Sequence, residues 1–388
     1  MVGSDAHHSA RDAAMANGML AHSLEFDDST LRPIGHPGCT ILPTLFALGE
    51  REASTGRDLL EAYVVGLEVH ARLGQLESGN WDAGGQWLPI GSIGQVGAAA
   101  AAARLLDLQP RQIENCLALA AHLAGQLSIS IGTAAKAVGA GSAAWTAVQA
   151  ADLARAGVDG PGRVIERPRG LADVYLGSHG GERALGQLGQ PHHLLEHGVA
   201  IKKYPAVYAC QWPNDALRQL VEQHDLRAGD ILRMELLRPE AGAFCDCPRP
   251  GTVEEARSSF EFNLAAIALT GSAGLASFTE ERLQDPAQLA MQGRISVMGH
   301  PPGTAQSHTW RYLVRVHTRD HGTVENWVRY PSGHPRNPLS AAEARTKWAE
   351  CTDGHLSPDA VTELERLIND LEGQRTLRDI TGLLRAAR

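Results

Sequence analysis

A chain of 388 residues, 43% apolar and 20% charged, has enough apolar residues to bury a large core, and its length predicts two domains. A formal charge of −9 with no basic run argues against general nucleic-acid binding, while leaving room for a locally cationic site that takes an anionic substrate. No window is long and apolar enough to span a bilayer, so no membrane partner is expected. Asp5, His7, His8 and Asp12 interrupt the apolar run that a secretory leader needs. Cys39, Cys116, Cys210, Cys245, Cys247 and Cys351 are scattered, which fits a reducing, cytoplasmic setting rather than a disulfide scaffold. Cys245-x-Cys247 is too tight and too isolated for a standard zinc site.

In chain order, Ala13 to Leu24 reads as a helix that runs into Glu25-Phe26-Asp27-Asp28-Ser29-Thr30. A loop with Pro33 and Gly35 leads to His36-Pro37-Gly38 and a second helix from Thr40 to Glu50. The acidic cluster is thus expected at a helix end, and His36 just before a helix start, where polar groups can point into a cleft. Acid, hydroxyl and imidazole groups within reach of one another suit proton transfer. Simple capping by Asp28 or Ser29 is the plainer alternative. Arg57 to Leu73 is an amphipathic helix. Gly91-x-x-Gly94-x-x-Gly97 reads as a close helix-packing face, because no strand precedes it and no Lys-Ser/Thr follows, as a phosphate loop would require. Helices follow over Asp107 to Leu123, with Pro110 in the first turn, and Ala137 to Ala156. Small-residue helices with short connections imply an all-helical domain.

The pattern changes near residue 200. Trp212 to Glu222 and Ser258 to Leu269 read as helices, and Asp230 to Leu237, Gly293 to Gly299 and Trp310 to Arg319 as strands. Asp320-His321-Gly322 turns the last of these into Thr323 to Arg329, a hairpin. The expected fold is therefore mainly α: a large all-helical domain plus a smaller α+β domain with an antiparallel sheet. After the proline-rich Pro331 to Pro338, Ser340 caps a helix over Ala341 to Cys351, and Pro358 to Ala387 supplies two short helices that pack back on the helical part.

Several residues outside the acidic stretch are candidates for chemistry. Lys136, after Gly132-Thr133-Ala134-Ala135, either binds a carboxylate or is a solvated helix-start lysine. Lys202-Lys203-Tyr204-Pro205 lies at the expected domain boundary, where its cations face either a cleft or a solvated linker. Together Lys136 and Lys202 can receive two carboxylates of a small acid. Trp81 to Trp87 lines a pocket or anchors the core through Trp87. His334 and Arg336 in Gly333-His334-Pro335-Arg336-Asn337-Pro338 either contact substrate or dock the last helices.

Taken together, Ala16-Asn17-Gly18 to Asp28, His36-Pro37-Gly38, Gly56-Arg57-Asp58-Leu59-Leu60, Thr133 to Gly141, Ile201 to Pro205 and Gly333 to Pro338 resemble the MmgE/PrpD family, which contains 2-methylcitrate dehydratase, cis-aconitate decarboxylase and iminodisuccinate epimerase. The resemblance runs through almost the whole chain, although members usually have several more helices before the Ala-Asn-Gly segment. It implies a discontinuous helical domain, residues 1–200 and 335–388, with an α+β lid, residues 201–334, inserted between them. It also implies a homodimer, no metal or organic cofactor, and a small polycarboxylate substrate bound between domain and lid. Glu25 takes the place of the first aspartate of an Asp-Phe-Asp-Asp motif and Ser29 that of a threonine. His36, Lys136 and Lys202 match the family's histidine and lysines. Trp87, Lys203, Tyr204 and Arg336 are the further candidates for substrate contact.

Departures from the family pattern are Leu88, Gly139 and Val207, each at a point where relatives carry histidine. The expected activity is a cofactor-independent lyase, dehydratase or decarboxylase in type, that abstracts an α-proton from a di- or tricarboxylic acid. His36 is the expected proton carrier, helped by Glu25 or Asp28, since an unperturbed histidine titrates near working pH. The missing histidines keep two alternatives open: a dicarboxylate epimerase or isomerase, and a catalytically degenerate ligand-binding homologue.

Overall fold

The computed structural model describes residues 1–31, 34–76, 87–177, 185–239, 245–301 and 311–385. Its first part is a packed set of helices: α1 (Ala10–Ser23), α2 (Gly38–Glu52), α3 (Gly56–Gly74), α4 (Ile93–Leu105), α5 (Pro110–His122) and α6 (Ala134–Arg155). Small residues set how close these helices come. A side chain at Gly141 of α6 would lie 2.4 Å from the Met15 carbonyl of α1, and one at Gly97 of α4 only 2.9 Å from the Gly66 carbonyl of α3. These backbone contacts account for the glycine and alanine richness of the first half, and they bring the start of α6 against the end of α1. The core between them is built from Ile41, Leu45, Leu48, Leu59, Leu67, Val96 and Val148 with the alanines of α4 and α6. Helix starts follow local chemistry: Ser9 caps α1, and Thr55 and Asp58 form a capping box on α3.

A second core, with Trp212, Phe260, Phe262, Tyr312, Val314 and Val316, lies between a four-stranded sheet and the helices α7 (Gln211–His224), α8 (Val253–Arg257), α9 (Phe260–Thr270) and α10 (Pro286–Gln292). This sheet is β4 (Ile231–Arg238), β5 (Ile295–Gly299), β6 (Leu313–Thr318) and β7 (Thr323–Asn326), in the order β5-β4-β6-β7. Along β6 the burial alternates, as a strand with one covered face requires. The β6–β7 hairpin is antiparallel, but β4 and β5 run parallel, so the sheet is mixed rather than antiparallel as expected from sequence. The reason is the long helical crossover between β4 and β5, which returns the chain in its original direction.

Three short strands form a second sheet that sequence reading missed: β1 (Asp28–Leu31), β2 (Ile34–Gly35) and β3 (Ala200–Ile201), in the order β2-β1-β3. The chain closes with α11 (Ala341–Thr352), α12 (Pro358–Asn369) and α13 (Arg378–Arg385). Ser340 and Glu343 make the expected capping box on α11. The tail does pack back on the helices: Arg385 pairs with Glu50, and the Leu377 N–H donates to the Ser54 carbonyl at 3.0 Å.

Candidate functional site

Three stretches distant in sequence meet where the helical core faces the second core. Helix α1 stops at Ser23, and Glu25 takes a left-handed backbone, φ 49°, one residue beyond the helix cap. That conformation costs a non-glycine residue about 1–2 kcal/mol, and it reverses the chain so that the Glu25 carboxylate turns inward. Asp28 then enters β1 and pairs with Ile201 of β3, and the Lys202 N–H donates to the Asp27 carbonyl at 3.3 Å. This pairing sets Lys202 beside the acidic run. Lys136 arrives in the first turn of α6.

Lys202 is completely buried and donates to Glu25 Oε2 at 2.8 Å and Asp27 Oδ1 at 2.7 Å. Lys136 donates to Glu25 Oε1. Burial alone would raise both carboxyls. Lys136 and Lys202 outweigh it at Glu25, and Lys202 with His22 at Asp27, so both acids lie well below the usual carboxylate range. Lys202 in turn lies above the usual lysine value, because Asp27 and Glu25 overcome its burial.

Two imidazoles border this network. His22 Nδ1 lies 2.7 Å from Asp27 Oδ2, while its Nε2 is buried with no hydrogen-bond partner, 3.9 Å from Glu25 Oε1. His36 Nδ1 donates to the Asp28 carbonyl at 2.9 Å, which leaves the lone pair on Nε2. The two rings are 4.9 Å apart, centre to centre. Burial, reinforced by Lys202 and opposed by Asp27, pushes His36 down to about 3. It is therefore neutral across the physiological range, and its value departs from the near-neutral one expected from sequence. Asp28 moves the other way. Its oxygens accept the Gly38 N–H at 2.9 and 3.1 Å, but burial and then the charge on Asp27 push it up to about 7. Beneath the network, Lys347 of α11 donates to the main-chain carbonyls of Phe26 at 2.6 Å and Lys202 at 2.7 Å, and burial pushes it down to about 8.

Two cavities flank these residues. The smaller, about 60 Å³, is polar and lies between His22, Glu25, Thr133 and Lys136 on one side and Glu254, Arg257 and Ser258 of α8 and its flank on the other. It has room for a few waters. The larger, about 480 Å³, lies on the far side of Asp27 and Asp28 and is walled by Leu42, Pro43, Phe46 and Leu384. Its charged side chains are Asp27, Asp28, Glu50 and Lys347, and Lys347 is engaged with two carbonyls. Such walls repel a polycarboxylate, whereas the smaller cleft holds Lys136 and Arg257.

His22, Glu25 and His36 bring possible metal-ligand atoms within 4.8 Å of one another, as do His22, Asp27 and Cys39. A divalent ion there would face the ammonium groups of Lys136 and Lys202, which already neutralise the same carboxylates. Charges at such distances repel by several kcal/mol even at an effective dielectric constant of about 20. The donor set suits a lysine-bridged acid cluster better than a cation site.

The structure thus brings Glu25, Asp28, His36, Lys136 and Lys202 together. Ser29 lies in β1, buried, with its hydroxyl donating to the Thr30 carbonyl at 2.9 Å. Lys203 and Tyr204 turn away from the cluster: Lys203 pairs with Asp215 at 3.2 Å and Glu343 at 2.7 Å, and the Tyr204 hydroxyl donates to Asp215 at 2.8 Å. Trp87 sets its ring edge-on to Tyr175, and Trp81 to Gln86 lie outside the described residues. Arg336 donates to the Tyr330 hydroxyl at 2.8 Å. Leu88 and Val207 are buried, and the Gly139 carbonyl accepts from the Gln126 side-chain amide at 2.8 Å. Sequence reading placed Asp27 in the acidic run without giving it a role of its own, and missed His22, Arg257 and Lys347. His22 had a usable signal, three residues before Glu25 and in the last turn of α1, whereas Arg257 and Lys347 reach the cluster only through tertiary packing.

Residues 1–183 match the MmgE/PrpD N-terminal domain and residues 204–372 the MmgE/PrpD C-terminal domain. Cis-aconitate decarboxylase of Homo sapiens is 30% identical over 383 residues, covering 96% of this chain and 79% of that protein. The Mus musculus cis-aconitate decarboxylase is 30% identical over 384 residues, with 96% and 78% coverage. The Aspergillus terreus enzyme of the same name is 24% identical over 398 residues, with 96% and 80% coverage.

Proposed function

This chain belongs to the MmgE/PrpD family, and from that premise we propose that it is a cofactor-independent lyase, dehydratase or decarboxylase in type, that acts on a small di- or tricarboxylic acid by α-proton abstraction. The observation that carries the reading is the convergence of Lys136 and Lys202 on Glu25, with His22 and His36 at the edge of the same buried network. In the reaction, a substrate carboxylate takes up the Lys136 ammonium in place of Glu25. The two lysines then stabilise the enediolate-like charge that develops as the proton leaves, in surroundings dry enough to make that stabilisation large. His36 is neutral, with its lone pair on Nε2, and acts as the proton carrier once substrate reaches past His22, since His36 itself lines neither cavity. Glu25, Asp27 and Asp28 orient the cations and imidazoles. For a dehydratase the carbanion's electron pair expels the β-hydroxyl, which leaves as water once protonated; for a decarboxylase the C–C pair stays on the substrate as carbon dioxide leaves, giving the same enediolate-like charge, and a proton relayed from solvent by His36 quenches it.

The cis-aconitate decarboxylases among the relatives support a tricarboxylate as the first substrate to try. Purified protein is incubated with a panel of di- and tricarboxylic acids and the products are followed by mass spectrometry, then repeated with His36→Asn. Loss of turnover by at least about a hundredfold, the scale of general-base catalysis, is expected. Near-parental turnover in the variant sinks the role of His36, and inactivity of the parent across the panel sinks the lyase reading.

A dicarboxylate epimerase is the second reading. It is favoured by Leu88, Gly139 and Val207, which cannot protonate a leaving hydroxyl and of which Leu88 and Val207 are buried apolar side chains. Solvent deuterium entering the substrate with inversion and no loss of mass beyond exchange selects it.

A further inference from the structure

Arg257 has no part in the reading above, yet it stands on the opposite wall of the small cleft from His22, Glu25 and Lys136. It is only 5% exposed, its guanidinium lies over the Phe278 ring at 4.9 Å, a contact that carries no counter-charge, and among the described residues it makes no ion pair. A single nitrogen, Nη1, donates to the Leu24 carbonyl at 3.0 Å and the Pro205 carbonyl at 2.9 Å. Two carbonyl bonds position the group without neutralising its charge. The nearby acids do not supply that neutralisation, because Glu25 is shared by Lys136 and Lys202, and Glu254 is exposed at the rim. A buried cation without its counter-ion is costly, and its usual partner is an anion.

Two other features of the cleft agree. Helix α6 begins there without any side-chain cap, so its first amides and dipole favour negative charge. The His22 Nε2, buried and unpartnered, borders the same space.

We propose that Arg257 and the uncapped start of α6 form a carboxylate subsite, so that, when the cleft widens beyond its room for a few waters, its lid side anchors one carboxylate of the substrate while Lys136 holds another. This rests on the lyase reading and adds to it the point at which a polycarboxylate is measured. Its remaining guanidinium N–H groups offer the planar fork that a carboxylate accepts. The anchor also joins both sides of the site, since Leu24 follows α1 and Pro205 follows β3.

The test uses tricarballylate, a tricarboxylate with no double bond, as a binding probe by calorimetry, together with KM and kcat on whichever panel acid the parent turns over. Arg257→Met is expected to weaken tricarballylate at least about tenfold and to raise KM more than it lowers kcat. Arg257→Lys serves if the methionine variant does not fold. A lysine that satisfies the two carbonyls has withdrawn its charge from the cleft, so a loss of about fivefold is expected. Tricarballylate affinity and KM within twofold of the parent in a folded variant overturn the subsite while leaving the lyase reading standing. A parent that turns over no panel acid and does not bind tricarballylate overturns both.

Discussion

Replacing Asp28 with Asn isolates the cost of one buried charge. Asp28 has a carboxyl pushed up to about 7 from 3.8, by burial first and by Asp27 second. The folded protein therefore binds a proton on Asp28 that the unfolded chain releases near pH 4. Its contribution to stability is best below that unfolded value, falls as pH rises toward 7 and levels off above it. Each pH unit in the window costs about 1.4 kcal/mol, so the two units from pH 5 to 7 cost the parent about 2.5 kcal/mol. Asparagine keeps an acceptor for the Gly38 N–H, which Asp28 now meets at 2.9 and 3.1 Å, and it never ionises. Every other titrating group is common to the two proteins. The difference between their urea-unfolding free energies, measured at half-unit steps from pH 5 to 8.5, should therefore move by about 2.5 kcal/mol in favour of the variant as pH rises. A difference that stays flat across the range refutes the assignment of a buried, proton-binding carboxyl to position 28.

Two more outcomes test the network. Lys202→Met leaves Glu25 and Asp27 buried with one shared cation fewer, and breaking a buried pair in this way costs about 3–5 kcal/mol. Thermal unfolding should register it as a large loss, and a variant as stable as the parent would mean the lysine is not buried between these acids. Because His36 is pushed down to about 3 and stays neutral above that, kcat/KM should show no inflection from it between pH 5.5 and 8. An inflection near 6.5 that vanishes in His36→Asn would contradict the environment described for that ring.

How much of this was legible in the chain depends on whether the signal was local. The helices from Ala10 to Arg155 and the capping box at Ser340 follow apolar period and cap chemistry, and their observed ends lie within a few residues of those expected. The hairpin at Asp320-His321-Gly322 was equally local. The parallel β4–β5 pair was not, since strand direction depends on a crossover rather than on the strand itself. Strand β1 was hidden for the same reason. Asp28–Leu31 is short and acidic, and its partner β3 lies about 170 residues later. Within the site, Lys136 and Lys202 were visible as candidates, but nothing in their neighbourhoods said that both end on Glu25. Lys203 and Tyr204 looked equivalent to Lys202 because they are adjacent to it, yet the strand ends at Ile201 and the chain bends from Lys203 on, which brings both side chains to Asp215.

Only two residue pairs join β1 to β3, and the position of Lys202 depends on their alignment. A slip by one place would carry the ammonium to the other face and leave two carboxylates stranded. What holds the alignment is Gly333. Its carbonyl takes the Ile201 N–H at 2.9 Å, its φ is +88°, and a side chain there would lie 1.9 Å from the Ile201 carbonyl. The glycine therefore works as an indexing stop for a strand that is too short to index itself. The loop from Gly333 to Pro338, which read along the chain as either a substrate contact or a docking point for the last helices, governs the acid cluster from behind, as a detent governs a dial.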